Sequence, residues 1–436
     1  MNITIHRGTH EIGGSCVEIS SGESRIVIDI GMPLVQKSGE RFEFRDYEKL
    51  TAQELVKEKI LPDIKGIYKF DGNDKPVDGM LISHPHIDHY GFFRYLHDDI
   101  PYYLGEGTRK IIDLTGILLG LSGSIKSCRY LKSGSKIKIG NFTVTPFLMD
   151  HSAFDAYAFL IEIEGKKVIY SGDFREHGRK VKAFHYFLKN VPKDIDALLL
   201  EGTMIGHESK ATKTEEDIEK EIVKVLNRTT TLVSGISTSQ NIDRLVSFFK
   251  AALRTKRLFV IDVYTANVLS EIASPKIPHP SKEYPNIRVY FPHSICNRLE
   301  KSDRKDLMYK FTDFKITKEE ISDNLGKVLM MIRMSMVSDL KRIKGIEKST
   351  VIYSMWDGYL KEKSSKKFLE FVEEKEISFI KLHTSGHADI KTLQKVVNKI
   401  KPKMIIPIHT FSPEKYSEIF PGVNVFEASD GTGITI

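Results

Sequence analysis

Short apolar runs separated by polar turns set the rhythm of the first 200 residues. Residues 2–5 alternate apolar and polar, the period of a half-buried strand, and residues 25–30 form an apolar run through Asp29-Ile30 to Gly31. Between them, His10-Glu11-Ile12-Gly13-Gly14-Ser15 has the composition of a turn-rich loop. Residues 51–60 carry helical spacing, and residues 79–83 read as a buried strand running directly into a histidine-rich stretch. Further strands are expected at 142–148, 156–164, 167–170 and 197–200. Strands and helices in alternation predict an α/β fold.

From about residue 206 a second α/β succession begins, with helices expected at 214–226 and 241–253 and strands at 230–233 and 258–263. A charged, less regular stretch leads to a strand at 349–354 and a helix at 365–374. Two strand-and-loop units follow, residues 379–382 entering His383-Thr384-Ser385-Gly386-His387 and residues 404–408 entering His409. The expected organisation is a first domain in two pieces, 1–205 and 377–436, interrupted by an inserted domain at 206–376. A chain of 436 residues with 41% hydrophobic content is long enough for two cores.

No apolar run reaches the roughly 18 to 20 residues that cross a bilayer, and the first twelve residues lack the pattern of a secretory signal. A soluble, cytoplasmic protein without a membrane partner is therefore expected. Cys16, Cys128 and Cys296 are scattered and odd in number, so any metal site must rely on histidine and carboxylate. The formal charge is +7, and residues 251–350 hold 19 Lys and Arg against 12 Asp and Glu, which accounts for the whole excess. Such a balance is compatible with a polyanionic partner and says nothing about fold.

His84-Pro85-His86-Ile87-Asp88-His89 puts four metal-competent side chains within six residues at the mouth of an apolar strand. Imidazole nitrogen and carboxylate oxygen suit a divalent cation such as zinc. Residues two apart on extended chain point the same way, whereas adjacent Asp88 and His89 must diverge as the loop turns, so one loop can serve two ions. The remaining ligands are offered at other strand ends, by Asp150-His151-Ser152, Ser171-Gly172-Asp173-Phe174 and Ile408-His409-Thr410.

This ordered set, with Asp29 on an early strand, resembles the metallo-β-lactamase superfamily over most of residues 1–205 and 375–436. The resemblance implies an αββα sandwich. It also implies a first ion on His84, His86 and His151, a second on Asp88, His89 and His409, Asp173 bridging them, and Asp29 bracing the ligand loop. Three further segments resemble the β-CASP subgroup, the nucleic-acid-processing branch that includes ribonuclease J and the nuclease of messenger-RNA cleavage and polyadenylation. They are Leu198-Leu199-Leu200-Glu201-Gly202-Thr203, Ser385-Gly386-His387-Ala388 and Ile406-Pro407-Ile408-His409, and the insertion at 206–376 stands where that subgroup has its extra domain.

The resemblance implies a metal-dependent phosphodiesterase acting on RNA, endonucleolytic or 5′-to-3′ exonucleolytic, leaving 5′-phosphate and 3′-hydroxyl ends. Two Zn2+ are the expected cofactors, with Mn2+ or Mg2+ as substitutes. Single-stranded RNA is the expected partner, DNA the alternative, and a homodimer is compatible with the chain. Catalytic roles fall to Asp88, Asp173, Glu201 and His387. Among them, His387 is the candidate acid for the departing oxygen, kept protonated by Glu201. His383, Ser385 and Gly386 are candidates for contact with a phosphate. Thr238-Ser239-Gln240-Asn241, before a helix, could place amides on a phosphate or simply cap that helix. Trp356, the single tryptophan, reads as a core or hinge aromatic rather than a base-stacking platform.

Overall fold

The structure is a computed structural model that describes residues 1–36, 39–72, 77–121, 123–207, 212–272, 274 and 276–436. The chain divides into two compact units: Met1–Arg109 with Gly123–Lys210 and Gly386–Ile436, and Lys110–Ser122 with Ala211–Ser385.

The first unit is built on two seven-stranded sheets. In one, Asn2–Arg7, Cys16–Ser21 and Ser24–Ile28 run antiparallel, and Gly79–Leu81 then adds parallel to Ser24–Ile28. In the other, Phe142–Leu148, Tyr157–Ile163 and Lys166–Tyr170 are antiparallel neighbours, and Ala197–Glu201 and Met404–Ile408 continue parallel to the last of them. The inward residues of both sheets form one core: Ile3, Ile5, Val17, Ile19, Ile26 and Ile28 meet Val144, Phe159, Ile161, Leu199, Ile406 and Ile408.

On the outer face of the second sheet, helices Val181–Asn190 and Ile390–Ile400 bury Phe184, Phe187, Leu188, Leu393, Val396, Val397 and Ile400 against Leu198, Leu200 and Ile405. Their apolar residues recur every three or four positions, so one face of each helix is apolar and the other is left to solvent. Because Lys166–Tyr170, Ala197–Glu201 and Met404–Ile408 are mutually parallel, their C-terminal ends share one edge of the sheet. Glu201 ends one of these strands, and the loops leaving the other two carry Asp173 and His409.

The second unit holds a six-stranded, all-parallel sheet in the order Ile287–Tyr290, Leu258–Asp262, Val328–Ile332, Val233–Ile236, Thr350–Tyr353, Ser378–Lys381. Beneath it Arg244, fully buried, is held in a bidentate pair by Glu215 at 2.9 and 3.0 Å. Two expectations are corrected here. The strand expected at 230–233 lies at Val233–Ile236: the preceding helix ends at Arg228, and residues 229–232 form an irregular link whose Thr229 and Thr231 carbonyls accept from the Arg257 guanidinium. The inserted segment was expected to end at 376, yet Ser378–Lys381 pairs with Thr350–Tyr353 and the unit runs on to Ser385. At its other end, the boundary expected at 206 precedes residues 208–211, which lie outside the described residues.

Candidate metal centre

Six histidines and two aspartates converge at the shared strand edge of the first unit. Three sets of ligand atoms lie within 4.8 Å of one another: His84, His86 and His151; His84, His89 and Asp173; and Asp88, His89 and His409. Asp173, His387 and His409 form a fourth. In the first set, His86 Nδ1 sits 3.1 Å from His84 Nε2 and 3.3 Å from His151 Nε2. In the second region, Asp173 Oδ2 lies 3.2 Å from His89 Nε2, 3.7 Å from His409 Nε2 and 3.6 Å from His84 Nε2. Asp88 Oδ2 lies 3.7 Å from His89 Nε2 and 3.9 Å from His409 Nε2.

The neighbouring shell fixes which nitrogen of each ring faces inward. Nδ1–H of His151 donates to the Gly386 carbonyl at 2.6 Å, which leaves Nε2 with its lone pair toward His86. His89 Nδ1 is 2.8 Å from Asp29 Oδ2, and His409 Nδ1 is 3.0 Å from Ser15 Oγ. Asp29 itself accepts from the Ser83 amide at 2.7 Å, the Ser83 hydroxyl at 2.8 Å and the Tyr170 hydroxyl at 2.8 Å. Asp29 and His409 both hold left-handed backbone, φ 61° and 55°, a conformation that costs most side chains free energy and that surrounding hydrogen bonds must enforce. For His409 one of these is its amide on the Gly8 carbonyl at 2.7 Å.

Charge in the cluster is arranged for a cation. Burial, reinforced by neighbouring imidazoles, pushes the His84 and His151 pKa values well down, and burial lowers His86 to about 4 and His409 as well, so these rings are neutral, the form that ligates. At His89 burial is outweighed by Asp173, Asp29 and Asp88, which raise its pKa well above the ordinary value. Asp173, despite burial, is held well below the usual carboxylate range by His409, His89 and His387. The fit to a metal rests on two atoms in particular: His89 Nε2 and His409 Nε2 are buried without a hydrogen-bond partner, while both face carboxylate oxygens. A divalent cation satisfies nitrogen and carboxylate together.

His387 stands beside this cluster with Nδ1 3.1 Å from Thr203 Oγ1, 3.6 Å from Glu201 Oε2 and 3.8 Å from Asp173 Oδ2. Burial opposes its charge, but Asp173 and Glu201 prevail and lift its pKa to about 9. Glu201 is almost wholly buried and accepts from the Thr203 amide at 2.9 Å and the Ala388 amide at 3.2 Å, tying its own strand end to the loop that carries His387.

The sequence motifs pass over Ser15, Ser83, Tyr170 and the Gly386 carbonyl, because none has a side chain that announces a metal. Thr203 was visible only as the tail of Glu201-Gly202-Thr203. Among the other candidates, Gly386 belongs to the first unit, whereas exposed His383 and half-buried Ser385 belong to the second. Asn241 caps its helix by accepting the Arg244 amide at 3.0 Å, and Ser239 bonds Thr265 and Arg333 at 2.6 Å each, so this stretch is occupied by its own unit. The core alternative for Trp356 is corrected: the residue is 60% exposed, its ring packed edge-on to Tyr359 and over Gly358, where any side chain would collide with it.

Gly31 offers a direct check on the ligand loop. A Cβ there would stand 1.7 Å from the Asp88 carbonyl oxygen and 2.3 Å from its carbon, both backbone atoms. Gly31→Ala is expected to displace the Asp88-His89 turn, cost about 1–3 kcal/mol from overpacking and weaken metal binding. In thermal unfolding with and without added zinc, the zinc-dependent rise in Tm should shrink in the variant; an unchanged rise would show that the turn tolerates the displacement.

Residues 69–231 match a family described as the beta-lactamase superfamily domain, and residues 376–414 match the Zn-dependent metallo-hydrolase RNA specificity domain. Ribonuclease J of Helicobacter pylori (strain ATCC 700392 / 26695) is 23% identical over an alignment covering 100% of this chain and 61% of the relative. An RNase J-like protein of Methanocaldococcus jannaschii is 22% identical, covering 93% of this chain and 92% of its own. The transcription termination factor FttA of Methanothermobacter thermautotrophicus is 22% identical across 62% of this chain and 42% of its own. The chain thus spans about three fifths of the Helicobacter ribonucleases J it matches. A crystal structure of a protein of unknown function from Enterococcus faecalis V583 superimposes with a TM-score of 0.79 at 21% identity, covering 100% of this chain and 99% of that one. The chain thus contains a region similar to the beta-lactamase superfamily domain and one similar to the Zn-dependent metallo-hydrolase RNA specificity domain, and its whole length is similar, at low identity, to proteins named ribonuclease J.

Proposed function

We propose that this protein is a zinc-dependent ribonuclease that hydrolyses phosphodiester bonds, internally or from the 5′ end, in RNA processing or decay. The observation that carries this reading is the clustering of these ligand sets around Asp173, with His387 held beside them by Thr203 and Glu201. The second unit is read as the inserted β-CASP domain, and the RNA specificity match favours RNA over DNA.

In this reading His84, His86 and His151 hold one ion, Asp88, His89 and His409 hold a second, and Asp173 is shared. Zinc is the expected metal, with Mn2+ or Mg2+ as substitutes. When bound, such ions supply an ionised water near neutral pH and offset the charge of the scissile phosphate. The chain's own groups do the rest. Asp29 and Ser15 hold the His89 and His409 rings so that Nε2 faces inward. His387 gives its proton to the departing oxygen, and Glu201 and Thr203 orient the ring through Nδ1. Once Asp173 is shared with cations, Glu201 is the carboxylate left to keep His387 protonated.

The test is cleavage of end-labelled RNA and DNA, each with 5′-monophosphate or 5′-triphosphate, by metal-replete protein. RNA should be cut to products with 5′-phosphates, and a chelator should abolish cutting until zinc is restored. Cleavage of DNA with RNA left intact would overturn the choice of substrate.

A further inference from the structure

The outer helices of the first unit carry a charge pattern that the metal centre does not use. Helix Val181–Asn190 has Lys182, His185 and Lys189 on its exposed side, and helix Ile390–Ile400 has Lys391, Lys395 and Lys399. Neither helix contains an acidic residue. The spacings i, i+3, i+7 and i, i+4, i+8 place each set in one stripe along its helix. The stripes face one another: a cleft of about 360 Å³ is lined by His185, Leu188, Lys189, Lys395 and Lys399. Glu176, at the rim, pairs with both Lys395 and His185, so a carboxylate anchors one point of an otherwise cationic groove.

Direction follows from topology. Each helix connects to, and runs antiparallel to, the parallel strands ending at the metal centre, so both begin at that edge, one shortly after Asp173 and the other three residues after His387. Lys182 and Lys391 therefore lie at the helix ends nearer the metal centre, and Lys189 and Lys399, which line the cleft, at the far ends. Along the second helix a cation recurs every ~6 Å of rise, about one phosphate repeat of an extended single strand.

We propose that this groove is a secondary binding track for the sugar-phosphate backbone of single-stranded RNA, engaging the part of a long strand that extends beyond the metal centre. Lysine is depleted at protein–protein interfaces, which rely on aromatic and apolar anchors, and this groove offers Leu188 alone among its lining residues. A backbone of phosphates needs only the cations. The identity of the strand rests on the ribonuclease reading; the groove's preference for a polyanion does not.

Lys391→Gln, Lys395→Gln and Lys399→Gln combined should leave kcat/KM for a tetranucleotide unchanged. The same triple substitution, placed in a His387→Ala background so that the strand survives the measurement, should weaken binding of a long single-stranded RNA about 10-fold by fluorescence anisotropy. Its slope of log K against log salt should flatten by about 0.7 for each phosphate that is no longer neutralised. The matched control removes three exposed lysines from another face, Lys132→Gln, Lys136→Gln and Lys138→Gln, and should bind like the parent. An unchanged affinity and slope in the first triple, or an equal loss in the control, overturns the track. A glutamate-rich peptide that binds the groove while long RNA does not compete overturns it in favour of an acidic protein partner. A parent protein that neither cuts nor binds RNA overturns the ribonuclease reading and the track together; one that does both, with an unaffected triple, overturns the track alone.

Discussion

Asp173→Ala is expected to empty the centre of most of its metal and to reduce RNA cleavage on the order of 10³-fold or more, the several kcal/mol that a correctly seated ion contributes. Among the described residues, Asp173 is the one carboxylate that stands within 4 Å of His84, His89 and His409 at once, so it belongs to both ligand regions. Its removal also leaves closely packed imidazoles without the charge that balances a cation. Asp29→Ala is the useful contrast. Asp29 reaches the site through the outward nitrogens of the rings, directly at His89 Nδ1 and by way of the Ser83 hydroxyl at His84 Nδ1, and loss of such an orienting partner typically costs 10- to 100-fold in metal affinity. Elemental analysis after purification with zinc should therefore rank parent, Asp29→Ala and Asp173→Ala in falling order. Metal content in Asp173→Ala equal to the parent's would remove Asp173 from the ligand set and the dinuclear reading with it.

The histidines and aspartates that the fold brings together were legible because their chemistry is local: His84, His86, Asp88 and His89 lie on one loop, and His151, Asp173 and His409 each follow an apolar strand. What orients them was not. Ser15 reaches His409 across 394 positions of chain and Tyr170 reaches Asp29 across 141, and serine and tyrosine are too common for their position in sequence to suggest a role. The shift of the strand at Val233–Ile236 has a related cause. β-branched Thr230 and Thr231 favour extended chain on propensity, but the link they form is tied down by distant residues, Arg257 at the Thr231 carbonyl and Lys348 at the Thr231 hydroxyl. Charge counted along the sequence pointed to residues 251–350. The stripes on Val181–Asn190 and Ile390–Ile400 are separated by some 200 residues, and neither stands out until the fold lays the two helices side by side.

His387→Ala should separate proton donation from metal binding. If His387 supplies the proton for the departing oxygen, the variant should keep its metal and its affinity for RNA while turnover falls about 10²- to 10⁴-fold. The alternative is built into the geometry, because His387 also lies within ligand distance of Asp173 and His409, and a ligand role would show as lost metal. Glu201→Gln addresses the same proton. A histidine whose pKa is raised is protonated below that value and loses its proton as pH climbs through it. Activity that needs protonated His387 should therefore fall as pH climbs through the value that Glu201 helps to raise, and this alkaline limb should move to lower pH in Glu201→Gln. The decisive substrate is an RNA with bridging sulfur at the scissile position, whose thiolate departs with little need of a proton. It should recover much of the rate lost by His387→Ala and little of that lost by Asp173→Ala, since only the first defect lies in protonation. Failure to rescue His387→Ala, with metal content intact, would assign this imidazole to holding the phosphate rather than to protonating the leaving group.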